Sequence, residues 1–308
     1  MRYTLRQLAI FVAVARNGSI SRAAENLSMS QSAASSGLAE LERQFDVQLF
    51  DRVGKSVRLN ELGERLLPRA VEFLDRAEDI EALLRGQTGY GTLDIGATLT
   101  IGNYLATLIV AEFLQRHTDS RIRLGVHNTA TIIQQVASFE LDLGLIEGKC
   151  QHVELEVVPW LEDELVVFCA PTHPLAGRAS ADEEDLLEQP WILREIGSGT
   201  RETFDQAMRH VEGRFDVRLE LEHTEAIKRA VESGLGIGCI SRLALREAFR
   251  RGSLVPVETP WLDLRRRFHF LWHRQKFRTP GMQAFLELCR EMTAGAQRSD
   301  EIALSYIR

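Results

Sequence analysis

The stretch Ser19-Ile20-Ser21-Arg22-Ala23-Ala24-Glu25-Asn26-Leu27-Ser28-Met29-Ser30-Gln31-Ser32-Ala33-Ala34-Ser35-Ser36-Gly37-Leu38 decides the reading of this chain. Ser19 can cap a short helix that turns Ala23, Ala24 and Leu27 inward. Ser28-Met29-Ser30 reads as a tight turn. Ser30 then caps a longer helix from Gln31 to about Phe45, with Ala34, Leu38, Leu41 and Phe45 inward. A short helix, a three-residue turn and a longer helix make a helix-turn-helix, and the small alanines let the helices cross closely.

Working outward, Leu5, Leu8, Phe11, Val12 and Ala15 recur at helical spacing, so residues 4–17 form a preceding helix. Thr4 can cap its start and Asn17-Gly18 its end. Downstream, Leu49-Phe50-Asp51-Arg52 is followed by Lys55 and Arg58, with Val57 and Leu59 alternating. That pattern predicts a short β-hairpin wing whose cations face phosphates, or else a solvated basic turn. The longer helix opens with Ser30, Gln31, Ser32, Ser35 and Ser36. Glutamine can pair bidentately with adenine, and serine can reach a base or a phosphate. A merely solvated, serine-rich helix start is the alternative. Helix-turn-helix followed by a basic wing favours duplex DNA.

The charge distribution agrees. The chain has 308 residues, 37 basic and 44 acidic, for a formal charge of −7. Residues 1–60 hold eight basic and five acidic side chains, a net +3, which leaves −10 for the rest. Non-specific coating of nucleic acid along the whole chain is excluded, and a basic head on an acidic body is expected. Hydrophobic residues at 44% and charged residues at 26% are ordinary globular values.

At this point the sequence resembles the LysR-type transcriptional regulators. The residues that carry the resemblance are Leu5-Arg6-Gln7-Leu8 with Phe11 and Val14, Gly18-Ser19-Ile20, Ala23-Ala24-Glu25-Asn26-Leu27 and Ser30-Gln31-Ser32-Ala33-Ala34-Ser35. Leu41-Glu42, Leu49-Phe50-Asp51-Arg52 and Leu59-Asn60-Glu61-Leu62-Gly63 complete the head. The match continues more thinly through His173-Pro174-Leu175-Ala176 and Glu225-Ala226-Ile227-Lys228 to Gly234-Leu235-Gly236-Ile237. Ser36-Gly37 stands where the family usually has a basic residue, and Leu59-Asn60 where it has Leu-Thr. The fold therefore transfers, but exact base contacts do not.

Residues 61–85 carry Leu62, Leu66, Leu67, Ala70, Phe73, Leu74, Ala77, Ile80, Leu83 and Leu84 as a broad stripe on one long helix. Pro68 predicts a kink or break. The resemblance implies that the stripe pairs with a second copy, as a homodimer or homotetramer; packing on the chain's own body is the alternative. Gly86 to Gly91 reads as a hinge. Beyond it strands and helices alternate: strands at 93–96, 121–127, 141–146, 191–194 and 237–240, and helices from about 103–116, 131–138, 203–210 and 226–233. This predicts α/β units around parallel sheets. Leu165–Cys169 and Phe268–Trp272 read as strands joining two lobes. The similar family fold is a two-lobed α/β body resembling periplasmic solute-binding proteins. The expected domains are a winged helix-turn-helix over 1–60, a linker helix and hinge over 61–88, and an effector-binding body over 89–308. One lobe spans about 89–162 and 266–308, the other about 163–265.

Ligands of open α/β sheets bind beyond the carboxyl ends of the strands. Those ends carry Thr98, Thr100, Asn128, Thr129, Glu147 and the turn Gly197-Ser198-Gly199-Thr200-Arg201. A glycine-rich turn opening a helix offers free N–H groups to a small anion, and Arg201 stands beside it. The expected effector is a small oxyanion or carboxylate held by Thr98, Thr100, Asn128, Thr129, Ser198, Thr200 and Arg201; within the family the Gly-Ser-Gly-Thr-Arg turn resembles branches tied to sulfur or carbon assimilation, which implies a sulfite-like or phosphorylated effector. Glu147 would hydrogen-bond a protonated ligand, pair with Arg201, or lie outside the site. Ordinary helix capping is the competing account of Ser198, Thr200, Thr98 and Thr100.

Other chemistry finds little support. Arg265-Arg266-Arg267 reads as a solvated strand approach. His269 and His273 share a strand face without a visible third metal ligand. No Walker loop, G-x-S-x-G or H-E-x-x-H occurs, so an enzyme is not expected, and neither is a metal or cofactor. Cys150, Cys169, Cys239 and Cys289 are scattered singly and read as buried hydrophobes of a cytoplasmic protein. The alternative is a solute-binding-protein-like sensor under redox control through a pair such as Cys150 and Cys169. No membrane span is expected, because the uncharged run from Ile95 to Ala111 is too short and too polar. The N-terminus does not read as a signal peptide.

Overall fold

The computed structural model describes residues 2–53, 56–84, 89–211 and 214–302. The head begins with α1 (Leu5–Asn17), α2 (Ile20–Asn26) and α3 (Gln31–Phe45). All three expected caps form. Thr4 and Gln7 make a reciprocal capping box, Ser19 accepts from the Arg22 N–H, and Ser30 accepts from the Ala33 N–H at 3.2 Å. Ala23, Ala24, Ala34, Leu38 and Leu41 are buried as expected. Phe45 is not: it is 47% exposed, a correction to its expected inward position. The α3 axis passes so close to α1 that a Cβ on Gly37 would lie 2.6 Å from the Ile10 side chain. Strands β1 (Phe50–Val53) and β2 (Ser56–Leu59) pair antiparallel as the wing. The wing docks where the Val57 N–H donates to the Gly18 carbonyl.

The linker is one helix, α4 (Glu61–Leu84), unbroken at Pro68, where a kink or a break was expected. Leu67, Pro68, Ala70 and Val71 are buried against the head, so tertiary packing compensates for the missing N–H.

In the body, β3 (Thr92–Thr98) leads into a short turn, α5 (Leu99–Ile101), a π-turn over Gly102–Ala106, and α6 (Thr107–Arg116). The helix starts four residues before the expected Asn103. Next come β4 (Arg121–His127), α7 (Thr129–Ala137) and β5 (Leu143–Glu147). The long β6 (Leu155–Cys169) precedes α8 (Glu183–Leu187), β7 (Pro190–Arg194) and α9 (Gly199–Ala207). Here too the helix begins four residues earlier than the expected Thr203. The chain continues through β8 (Asp216–Leu221), α10 (Thr224–Glu232), β9 (Ile237–Ser241), α11 (Arg242–Arg251), β10 (Val255–Pro256), β11 (Arg265–His273) and α12 (Pro280–Met292).

Among the described residues the body strands run in the order β4-β3-β5-β11-β6-β9-β7-β8, with β10 beside β6. Each lobe has the expected parallel triplet, β4-β3-β5 and β9-β7-β8. The junction is antiparallel. The chain's last strand, β11, inserts between β5 and β6, and β6 pairs with β11 along its first part and with β9 along its end. The joining strands are therefore longer than Leu165–Cys169 and Phe268–Trp272. Apolar side chains from β3, β5, β11, α6 and α12 fill one core, and those from β6, β7, β9, α9 and α11 fill the other lobe. No helix among the described residues is long and apolar enough to cross a membrane.

Candidate functional site

Two places carry the chemistry expected from the sequence. In the head, Gln31, Ser32, Ser35 and Ser36 of α3 are all exposed, while Ala34, Leu38 and Leu41 are buried. Ser30 is exposed as well, with its hydroxyl 3.0 Å from that of Ser32. Arg58 stands exposed on β2, across the hairpin from Asp51. Lys55 and the side chain of Arg52 lie outside the described residues.

In the body, the strand ends converge on one buried cation that the sequence reading missed. Arg266 is not solvated: its side chain is 2% exposed. Its Nε donates to Asp163 Oδ2 at 2.6 Å, Nη1 to Thr200 Oγ1 at 2.9 Å and Nη2 to Thr100 Oγ1 at 3.4 Å. Glu147, 1% exposed, lies 3.4 Å from Nη2 and accepts from the Thr200 hydroxyl at 3.3 Å. Burial works against the Arg266 charge, but Glu147 and Asp163 outweigh it and hold its pKa above the ordinary value. Asp163 is saturated by Ser241 and Ser299 hydroxyls. Glu147 Oε2 has no hydrogen-bond partner. Two carboxylates thus share one guanidinium, and Glu147 Oε2 meets it through charge at 3.4 Å rather than through a hydrogen bond.

Sequence did hold a signal for Arg266. Along β11 the buried residues alternate, and Arg266, Phe268 and Phe270 fall on one inward face. Arg201, by contrast, is engaged elsewhere. It donates to Asp205 at 2.9 Å, to Glu220 at 2.9 Å and to the Arg194 carbonyl at 2.9 Å.

Thr98 is buried and makes no capping bond; its hydroxyl lies 3.5 Å from the Leu145 carbonyl. Asn128 caps α7 through the Thr131 N–H, and Ser198 caps α9 through the Thr200 N–H. Thr129 ties the lobes together: its hydroxyl donates to the Glu147 carbonyl and accepts from the Gly199 N–H at 3.0 Å. A second clasp closes the far side. Tyr104, in the π-turn, donates to Glu225 of α10, and Lys228 reaches Glu225, the Tyr104 hydroxyl and the Ala244 carbonyl. A cavity of about 740 Å³ opens beside Arg266 and Asp163, lined also by Lys149, Glu202, His269 and Arg298. A cavity of about 450 Å³ borders Thr129, Ser198, Lys149 and Arg201.

The cysteines are free thiols. Burial pushes Cys169 up to about 11 and raises Cys239 and Cys289 further, which works against the thiolate that redox chemistry needs.

Comparison with known proteins agrees with this architecture. Residues 5–64 match the model of the bacterial regulatory helix-turn-helix protein, lysR family, and residues 86–294 match the LysR substrate binding domain. The chain is 44% identical over 289 residues to the HTH-type transcriptional regulator YeiE of Escherichia coli, covering 94% of this chain and 98% of that one. Full-length OxyR of Pseudomonas aeruginosa has the same fold, with a TM-score of 0.69, 23% identity and 94% of each chain covered. The regulatory domain of Synechocystis CcmR, solved in complex with 2-PG, superposes with a TM-score of 0.62 at 28% identity, covering 67% of this chain and 98% of that one. With both of its domains matched and a relative this similar along nearly its whole length, the chain belongs to the LysR family of transcriptional regulators.

Proposed function

We propose that this regulator reads promoter DNA through Ser30, Gln31, Ser32, Ser35 and Ser36, anchors phosphates through Arg52, Lys55 and Arg58, and responds to a small anion held between its lobes. The anion is an oxyanion of the sulfite type, a carboxylate or a phosphorylated metabolite. The observation that carries the reading is the buried Arg266 beside the Thr100 and Thr200 hydroxyls, with Glu147 already standing as an internal anion whose Oε2 meets Arg266 through charge without a hydrogen bond. Thr129, Ser198 and Arg201 border the neighbouring cavity, Thr98 and Asn128 support the ligand from the strand ends, and Arg201 orders the α9 start through Asp205 and the Arg194 carbonyl. An incoming anion either carries a proton, which it donates to Glu147, or displaces that side chain from Arg266. The 2-PG bound by the CcmR regulatory domain supports an anionic ligand of this size class. Binding one lobe arrangement better than another shifts the population of heads competent for the promoter. The active unit is a homo-oligomer in the cytoplasm.

Calorimetry of the full chain with sulfite, sulfate, phosphate and short carboxylates tests the site. At least one should bind, and Thr100→Val should weaken it about tenfold or more, since a lost hydrogen bond to a charged group is worth ~1.5–3 kcal/mol. Absence of binding by every anion, or full affinity in Thr100→Val, removes the anion reading. A gel shift with the DNA upstream of the chain's own gene tests the head separately.

A further inference from the structure

The head does not hang free of the body. Lys276, just after β11, is 8% exposed. Its ammonium lies 2.6 Å from Asp75 of the linker helix α4 and 2.7 Å from Asp142, the residue before β5. Asp142 is itself fixed: its carboxylate accepts from the Asp94 N–H at 2.8 Å, and its own N–H donates to the Asp94 carbonyl. Beside this bridge, Phe139 holds a left-handed backbone at φ 60 and buries its ring in the head's own core with Leu67, Ala70 and Val71. The His273 ring lies against it, tilted by 35° with the ring centres 4.1 Å apart. Arg76 lies 4.5 Å over the Phe277 ring.

Three elements run from the Arg266 cluster to this joint. Strand β5 carries Glu147 at one end and is preceded by Asp142 at the other. Strand β11 carries Arg266 near its start, ends at His273, and is followed by Lys276. Helix α7 begins at Thr129 and is followed by Phe139. Strands β5 and β11 are hydrogen-bonded neighbours, with Phe268 opposite Glu147 and Leu271 opposite Gly144. A strand rises about 3.3 Å per residue, so the two ends lie roughly 17 Å apart along a stiff ladder.

We propose that the Asp75–Lys276–Asp142 bridge, with the Phe139–His273 ring contact, is the joint through which the cluster between the lobes sets the position of the linker helix and so of the DNA-binding head. A buried ammonium cannot drift from both carboxylates without stranding its charge. Packed joints of this kind re-seat between discrete arrangements rather than deform smoothly. A shift of β5 and β11 at their Glu147 and Arg266 ends therefore either moves α4 with them or breaks the bridge.

Amide hydrogen exchange on the full chain tests this without any ligand or DNA, so it is independent of the anion reading. Glu147→Gln perturbs the cluster, and its action is seen as altered exchange over residues 196–203. The expected result is that it also speeds exchange over residues 70–78 by about threefold or more. Lys276→Met should speed exchange there by itself, and adding Glu147→Gln to it should change residues 70–78 no further. Asp75→Asn, which leaves Lys276 paired with Asp142, serves if Lys276→Met does not fold. The proposal is overturned if Glu147→Gln alters 196–203 but leaves 70–78 at the wild-type rate. It is equally overturned if Lys276→Met or Asp75→Asn loosens α4 yet the response to Glu147→Gln persists in full, which is what a merely structural bridge would give.

Discussion

A methyl group on Gly199 would sit 2.1 Å from the Glu147 carbonyl oxygen and 2.8 Å from Thr129 Oγ1. Both neighbours belong to the opposite lobe, and a backbone carbonyl at a strand end cannot swing aside. Gly199→Ala therefore wedges the lobes apart and breaks the Thr200–Glu147 and Thr129–Gly199 contacts. The lobes keep their separate cores, so circular dichroism should be unchanged, while proteolysis within residues 196–203 accelerates and anion binding is lost. Unchanged proteolysis and binding would mean that the cleft tolerates opening without consequence. Arg266 makes the same point about legibility. Charge and clustering favour solvent for a run of three arginines, and only the alternation of β11 marks the middle one as inward. Its partners lie 66 to 166 positions away in the chain, at Thr200, Asp163 and Thr100, so no local pattern could name them. Arg201 shows the converse: a cation in the right motif is satisfied by Glu220, a residue on a neighbouring strand that spacing does not reveal.

Elements were more legible than residues because their signals are local. Thr4, Ser19 and Ser30 each cap the helix they were expected to cap. Ser30→Ala should lower stability by about 1 kcal/mol in chemical denaturation, the usual loss of one N-cap bond. No change would mean that water or Ser32 replaces the cap. The misplaced starts of the α5–α6 stretch and of α9 share a cause. Each begins next to a strand end, with a glycine, Gly102 or Gly199, that reads as a breaker but is small because another backbone or side chain packs on it. For the wing, Arg58→Ala should weaken specific and random duplexes alike and flatten the salt dependence of log K by about one unit. Gln31→Ala should instead lose about 1–3 kcal/mol at the specific site alone. A uniform loss for Gln31→Ala would show that α3 contacts phosphates, not bases.

At the scale of the molecule, the linker helix is only half covered by its own chain. Leu67, Ala70 and Val71 face the head core, while Leu62, Phe73, Ile80 and Leu84 are 41%, 38%, 59% and 82% exposed. Leu62 and Phe73 continue into a groove of about 470 Å³ lined by Phe45, Tyr3 and Leu66. Contiguous apolar surface on this scale calls for a partner, and a second α4 presents the same stripe in return, which is what a two-fold contact requires. Phe73→Glu places a charge in that stripe without touching the head core, so the monomer should fold with unchanged thermal stability at low concentration. Sedimentation should then show the mass of one chain, 34.8 kDa, where wild type is expected at a multiple of it. If two α3 helices engage half-sites about one helical turn apart, as proposed, the monomeric variant should also lose affinity for the specific site while keeping its weak, salt-sensitive binding to random duplex. A Phe73→Glu chain that stays associated would move the subunit contact off the linker helix and onto the body.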